Sequence, residues 1–216
     1  MAKRSNWSDD FWIMVLQLYL SKPVGIKDTY CREAVALCLE LHVHPEELHQ
    51  RMEQLDALKL PKLERLWETY AWSPKKLTRA VALMRQMYGF GNSDLFYDGV
   101  EVHETFERDF RPLQVEPELM PIMLVIILEL YFRLTPNTMV KDTPEVAETA
   151  KLLKINPQLV VEVLEAFQGC DPYLNEYEMT FSYLTAECAD IWQRYANLPQ
   201  EKLIATAKQL ARYFTK

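Results

Sequence analysis

Glycine is scarce in this chain, with five in 216 residues. That scarcity excludes collagen-like and linker-like compositions. The close pair Gly89-Phe90-Gly91 lacks the lysine and threonine of a phosphate loop, and no cofactor is expected. Histidine and cysteine are equally thin, four of each. Cys31, Cys38, Cys170 and Cys188 have neither the density of a secreted disulfide framework nor a Cys-x-x-Cys spacing, so reduced, buried thiols are expected. Long apolar runs are missing too. Ile122 to Leu128 is seven residues, closed off by Glu129 and Arg133, where a membrane span needs about 20. Met1 to Asn6 leads into an amphipathic stretch with no small-residue cleavage site. No signal peptide is read there, and a cytoplasmic, non-membrane protein is expected.

What is abundant is helix-forming, half-apolar sequence: 49% hydrophobic and 25% charged. A chain of this size buries about 70% of its unfolded surface, enough for a core of its own. The net charge of −7 is unevenly spread: residues 1–88 carry +2, 89–120 carry −6 and 121–216 carry −3. The anionic middle separates two segments that resemble each other.

Leu16-Gln17-Leu18-Tyr19-Leu20 aligns with Leu128-Glu129-Leu130-Tyr131-Phe132 at a shift of 112 residues. At the same shift Glu33, Leu41, Pro45 and Glu53 meet Glu145, Leu153, Pro157 and Glu165. Further on, Leu66-Trp67-Glu68-Thr69-Tyr70-Ala71 matches Ile191-Trp192-Gln193-Arg194-Tyr195-Ala196 at a shift of 125, so the second copy holds 13 extra residues. A tandem duplication follows, and little of either copy alternates with strand period. The expected fold is all-α: two homologous repeats of about five helices, residues 1–88 and 120–216, joined by an acidic connector, 89–119, with room for a short hairpin at Asp98-Gly99. Phe96, Tyr97, Phe106 and Phe110 are expected to pack the connector down. Helix starts are read at Ser8, Thr29, Pro45, Pro61 and Ser73-Pro74, and again at Thr143-Pro144 and Asn156-Pro157. The first helix of each copy, Phe11–Leu20 and Pro121–Leu134, is apolar nearly all round and belongs at the centre of its repeat.

Val146 to Leu164 resembles a helix-turn-helix of the sigma-factor or response-regulator type. Ala150 takes the small position, Leu153 and Ile155 flank the turn, and Val160 and Leu164 anchor the second helix. Cys38, Leu41, Val43, Leu48 and Met52 repeat the pattern, while His42 and Lys154 stand where that family has glycine. Led by the Leu-x-Leu-Tyr helix, each copy is also similar to helical modules found ahead of HNH nuclease domains. No His-Asn-His motif follows here, and nuclease function does not carry over. Resemblance to a helix-turn-helix implies DNA binding; charge opposes it. Pro157–Phe167 holds Glu162 and Glu165 and no lysine or arginine, and the first copy sets Glu46, Glu47 and Glu53 against Arg51. Duplex affinity comes largely from cations that neutralise phosphates.

One stretch is basic: Lys59, Lys62, Arg65, Lys75, Lys76, Arg79 and Arg85 against only Glu64 and Glu68, with Trp67, Tyr70 and Trp72 interleaved. Such a stretch can bind single strands or phosphates, be the solvated face of two helices, or be masked by the acidic connector docked onto it. Cys38, His42, His44 and His49 form the one metal-like grouping, but turn and capping roles explain His42 and His44, so no metal is expected. No nucleophile elbow or distinguishable carboxylate pair is present, and catalytic residues are not assigned. The expected function is therefore a non-enzymatic protein-interaction or scaffold protein that binds another protein or itself through apolar or acidic helical surfaces. The alternative is a nucleic-acid-associated transcriptional regulator that binds through the basic face of residues 59–85.

Overall fold

Proline opens six of the described α-helices, because its fixed φ suits the first helical position and its missing N–H has no partner there anyway. The computed structural model describes residues 7–87, 106–174 and 182–215. Its regular structure is all-α, with no strand among the described residues. The chain divides into two compact units, Met1–Glu104 and Thr105–Lys216.

The first unit begins with a 3-10 turn, Asp9–Phe11, capped by the Ser8 hydroxyl on the Asp10 amide. It continues through α1 (Trp12–Leu20), α2 (Arg32–Leu41), α3 (Pro45–Asp56), α4 (Pro61–Tyr70) and α5 (Pro74–Arg85). Helix α1 packs against all four of the others. The second unit holds α6 (Phe106–Asp109), α7 (Pro121–Arg133), α8 (Pro144–Leu153), α9 (Pro157–Cys170), α10 (Thr185–Tyr195) and α11 (Gln200–Ala211). Helix α7 is surrounded by these five. Ile122 through Leu128 are buried without interruption, as are Leu130 and Tyr131. At about 1.5–3 kcal/mol for each large apolar side chain, this helix is a main source of the unit's stability. No helix among the described residues is long and apolar enough to cross a membrane.

The two units share several particulars. Helices α2 and α8 both end on a left-handed residue, His42 (φ 53°) and Lys154 (φ 61°). The next helix opens each time with a side-chain cap: His44 Nδ1 accepts from the Glu46 amide, and Asn156 Oδ1 from the Gln158 amide. In the second unit α9 has 14 residues where α3 has 12, and residues 171–184 precede α10 where 57–60 suffice before α4.

Three expected helix starts are built differently. Thr29 does not cap α2; a turn closed by the Cys31 amide on the Asp28 carbonyl comes first, and Cys31 is the N-cap. Thr143 sits at the N-cap of α8, yet its hydroxyl donates to the Thr138 carbonyl at 2.6 Å. Ser73 makes no side-chain cap on α5. The region expected to hold a hairpin, with Phe96 and Tyr97, lies outside the described residues. Residues 106–119 pack within the second unit, with Phe110, Leu113 and Leu119 buried. Arg194 fixes α6 through Asp109, at 2.9 and 2.6 Å.

Candidate functional site

The segments that resemble a helix-turn-helix bury most of the positions read as core, Ile155 being only half-buried. Ala150, Leu153, Val160 and Leu164 are buried in the second unit, and Cys38, Leu41, Val43, Leu48 and Met52 in the first. A reading helix must also leave a polar face for the groove. Helix α9 has almost none, because Leu159, Val160, Val161, Val163, Leu164, Ala166 and Phe167 are all buried. Its Glu162 accepts a hydrogen bond from the Tyr183 hydroxyl at 3.1 Å. Helix α3 does show a polar face, but Arg51 is bound to Glu47 at 3.0 Å and lies over the Trp7 ring at 4.6 Å. Exposed Glu46 and Glu53 dominate what is left.

The metal-like grouping is dispersed by the local geometry. Cys38 is buried in α2, His42 ends that helix, and His44 caps the next. His49 Nδ1 lies 3.1 Å from the Lys27 carbonyl oxygen. Among the described residues no three histidine, cysteine or acidic side chains are placed to hold a metal ion. Burial pushes all four thiols upward, Cys38 to about 12, so none is an activated nucleophile at neutral pH.

A repeated constellation escaped the sequence reading. In the second unit the Tyr131 hydroxyl donates to Asp171 Oδ2 at 2.8 Å, and its ring meets Trp192 edge-on at 5.7 Å. In the first unit Tyr19 donates to Asp56 and meets Trp67 at the same 5.7 Å. Each grouping joins the central helix to two others: α1 to α3 and α4, and α7 to the end of α9 and to α10. Burial and the Asp171 carboxylate raise the Tyr131 pKa, which keeps the phenol neutral: a tie between helices and not a base. Tyr19 with Tyr131 and Trp67 with Trp192 already stood in matched positions. Asp56 and Asp171 are offset by 115 residues instead of 112 and so were overlooked.

The basic stretch is the remaining candidate, and here the structure sorts the residues. All seven cations are exposed on α4, α5 and the turn before α4. Two are committed inside the unit. Lys62 pairs with Asp9 at 2.7 Å and holds that carboxyl below its usual pKa; Arg85 grips Glu40 at 2.5 and 2.8 Å. Lys59, Arg65, Lys75, Lys76 and Arg79 have no carboxylate within ion-pair distance among the described residues. Lys76 lies over the Tyr70 ring at 5.1 Å. Lys75 and Arg79, four residues apart, share one stripe of α5.

The aromatics divide as well. Trp67 is half-buried against Tyr19, and Tyr70 is half-buried beneath Lys76. Trp72, in the turn between α4 and α5, is 85% exposed. The sequence held the clue: Trp67 recurs as Trp192, whereas the position matching Trp72 is Asn197. The aromatic without a counterpart at the matched position is the one left in water. The α4–α5 region thus carries five cations without a carboxylate partner among the described residues, of which Lys76 is turned to the Thr69 carbonyl and the Tyr70 ring, and an exposed indole in the turn between the two helices. Comparison with protein-family models, with curated proteins and with solved structures finds no match for this chain.

Proposed function

We propose that this chain is a non-enzymatic binding protein whose working surface is the α4–α5 face of the first unit, and that its partner is an acidic macromolecule. One observation carries the reading: Trp72, 85% exposed, sits in the turn joining α4 to α5, and these helices with the turn before α4 carry five cations that have no described carboxylate within ion-pair distance. Exposing so large a ring forfeits about 1.5–3 kcal/mol that burial elsewhere would return. On a chain with net charge −7, a face rich in cations attracts anionic partners against the sign of the whole. The raised thiol pKa values and the capping roles of His42 and His44 support a non-catalytic role. The acidic helical surfaces expected to act as a scaffold are the weaker candidate, because α9 is covered and Glu162 is engaged by Tyr183.

Retention on immobilised heparin tests this. A protein of net negative charge held there must be held by a patch. The triple change Arg65→Glu, Lys75→Glu and Arg79→Glu is expected to abolish retention. Lys202→Glu with Lys208→Glu, two exposed cations of α11, is expected to leave it unchanged. Equal elution of both variants and the parent refutes the assignment of the face.

A further inference from the structure

Resting on that reading, we propose that the α4–α5 face takes a single-stranded nucleic acid, with a base stacked on Trp72 and the backbone phosphates against Arg65, Lys75, Lys76 and Arg79. Single-strand binding without base readout needs two things together: cations that follow the backbone and an aromatic plane that accepts any base. Both are present, and they adjoin. Trp72 lies in the short turn that ends α4 and leads into α5, one residue before Ser73 and three before Lys75. Lys75 and Arg79 then run about 6 Å along the α5 axis, four residues at 1.5 Å each. Arg65 adds one cation on α4, where exposed Glu64 and Glu68 accompany it, so the positive surface belongs mainly to α5.

A duplex fits this surface less well. Its bases are stacked on one another, so only their edges are offered and the Trp72 ring finds no plane to cover. The helices that would enter a groove are the wrong ones, with α9 buried along most of its length and α3 acidic. An acidic peptide satisfies the cations, but its carboxylates leave both faces of the indole in water. A single strand satisfies charge and ring at once.

The probe is a fluorescently labelled oligothymidine on the order of 20 nucleotides, with a duplex of equal length as comparator. Anisotropy is read at low and at near-physiological salt, on the full chain. The single strand is expected to bind the more tightly, with affinity that falls steeply with salt. Trp72→Ala is expected to weaken single-strand binding about 5- to 150-fold, the measured range for losing one base–aromatic stack, and Trp72→Phe to restore most of it. Because the Trp72 side chain is exposed, these variants are expected to melt with the parent, which circular dichroism checks. Equal affinity for strand and duplex with Trp72→Ala silent overturns the inference and leaves the basic face standing. So does heparin retention without binding of either nucleic acid, which points to an acidic protein. Loss of heparin retention as well removes the binding face itself.

Discussion

Replacing Tyr131 by phenylalanine isolates one bond in the interior of the second unit. The ring stays: its edge-on contact with Trp192 at 5.7 Å and its neighbour Phe167 at 6.1 Å need no hydroxyl. What goes is the 2.8 Å bond to Asp171, donated to a carboxylate by a residue only 4% exposed. Hydrogen bonds to charged groups contribute about 1.5–3 kcal/mol. Asp171 keeps a second bond through Oδ1, from the Tyr173 amide at 2.9 Å, and its partial exposure lets water replace the phenol. The lower end applies, about 1.5 kcal/mol. Tyr19→Phe is the internal control. Asp56 is exposed where Asp171 is half-buried, so solvent compensates more completely and the loss should be about 0.5 kcal/mol. Equilibrium urea denaturation followed by far-ultraviolet circular dichroism measures both. A double-mutant cycle of Tyr131→Phe with Asp171→Asn should return a coupling above about 0.5 kcal/mol. Equal losses in the two units, or a vanishing coupling, refute the view that burial sets the strength of this tie.

Other expectations follow from local geometry. Lys154→Gly should stabilise the protein by about 0.5–1 kcal/mol, since a left-handed L-residue costs more than the extra freedom of an unfolded glycine; Lys154→Ala should not, and urea midpoints separate them. Asn156→Ala should cost about 1 kcal/mol through loss of the α9 cap, and Thr143→Ala less, because its hydroxyl serves the Thr138 carbonyl and not the helix amides. Stability should fall on the alkaline side. Burial raises the Cys38 thiol from its ordinary 9.0 to about 12, so the folded chain holds a proton that the unfolded chain releases. The stabilisation is complete below pH 9 and is lost as pH rises toward 12. Urea midpoints at neutral and alkaline pH should show that decline, and Cys38→Ala should lessen it while the other raised thiols and Tyr131 keep the rest; a rise with pH contradicts the assignment.

Helix positions were legible because they are set locally. Pro45, Pro61 and Pro157 fix φ at the first helical residue, and the His44 and Asn156 caps lie next to them in sequence. The left-handed ends at His42 and Lys154 were visible only as missing glycines; that the side chains themselves adopt positive φ is a fact of the fold. Thr143 misled because a hydroxyl before proline can turn either way, and a carbonyl five residues back won. The seating of residues 106–119 was not legible. It depends on partners such as Asp109 and Arg194, 85 residues apart, which no periodicity connects. For the candidate surface, the sequence grouped Trp67, Tyr70 and Trp72 as one aromatic set. Only packing against Tyr19 and beneath Lys76 withdraws the first two and leaves Trp72 outside.

The central placement of α7 orders events during synthesis. Its apolar surface leaves the ribosome before α8, α9, α10 and α11 exist to enclose it, and 78 residues separate Arg133 from the end of α11 at Ala211. At about 5–20 residues per second, the helix waits roughly 4–16 s for its enclosure. Through that interval the nascent second unit is a substrate for chaperones, with a seven-residue aliphatic run uncovered. Substitutions that slow the docking of α10 or α11 are therefore expected to lower the yield of folded protein in cells by more than they lower the stability of molecules already folded.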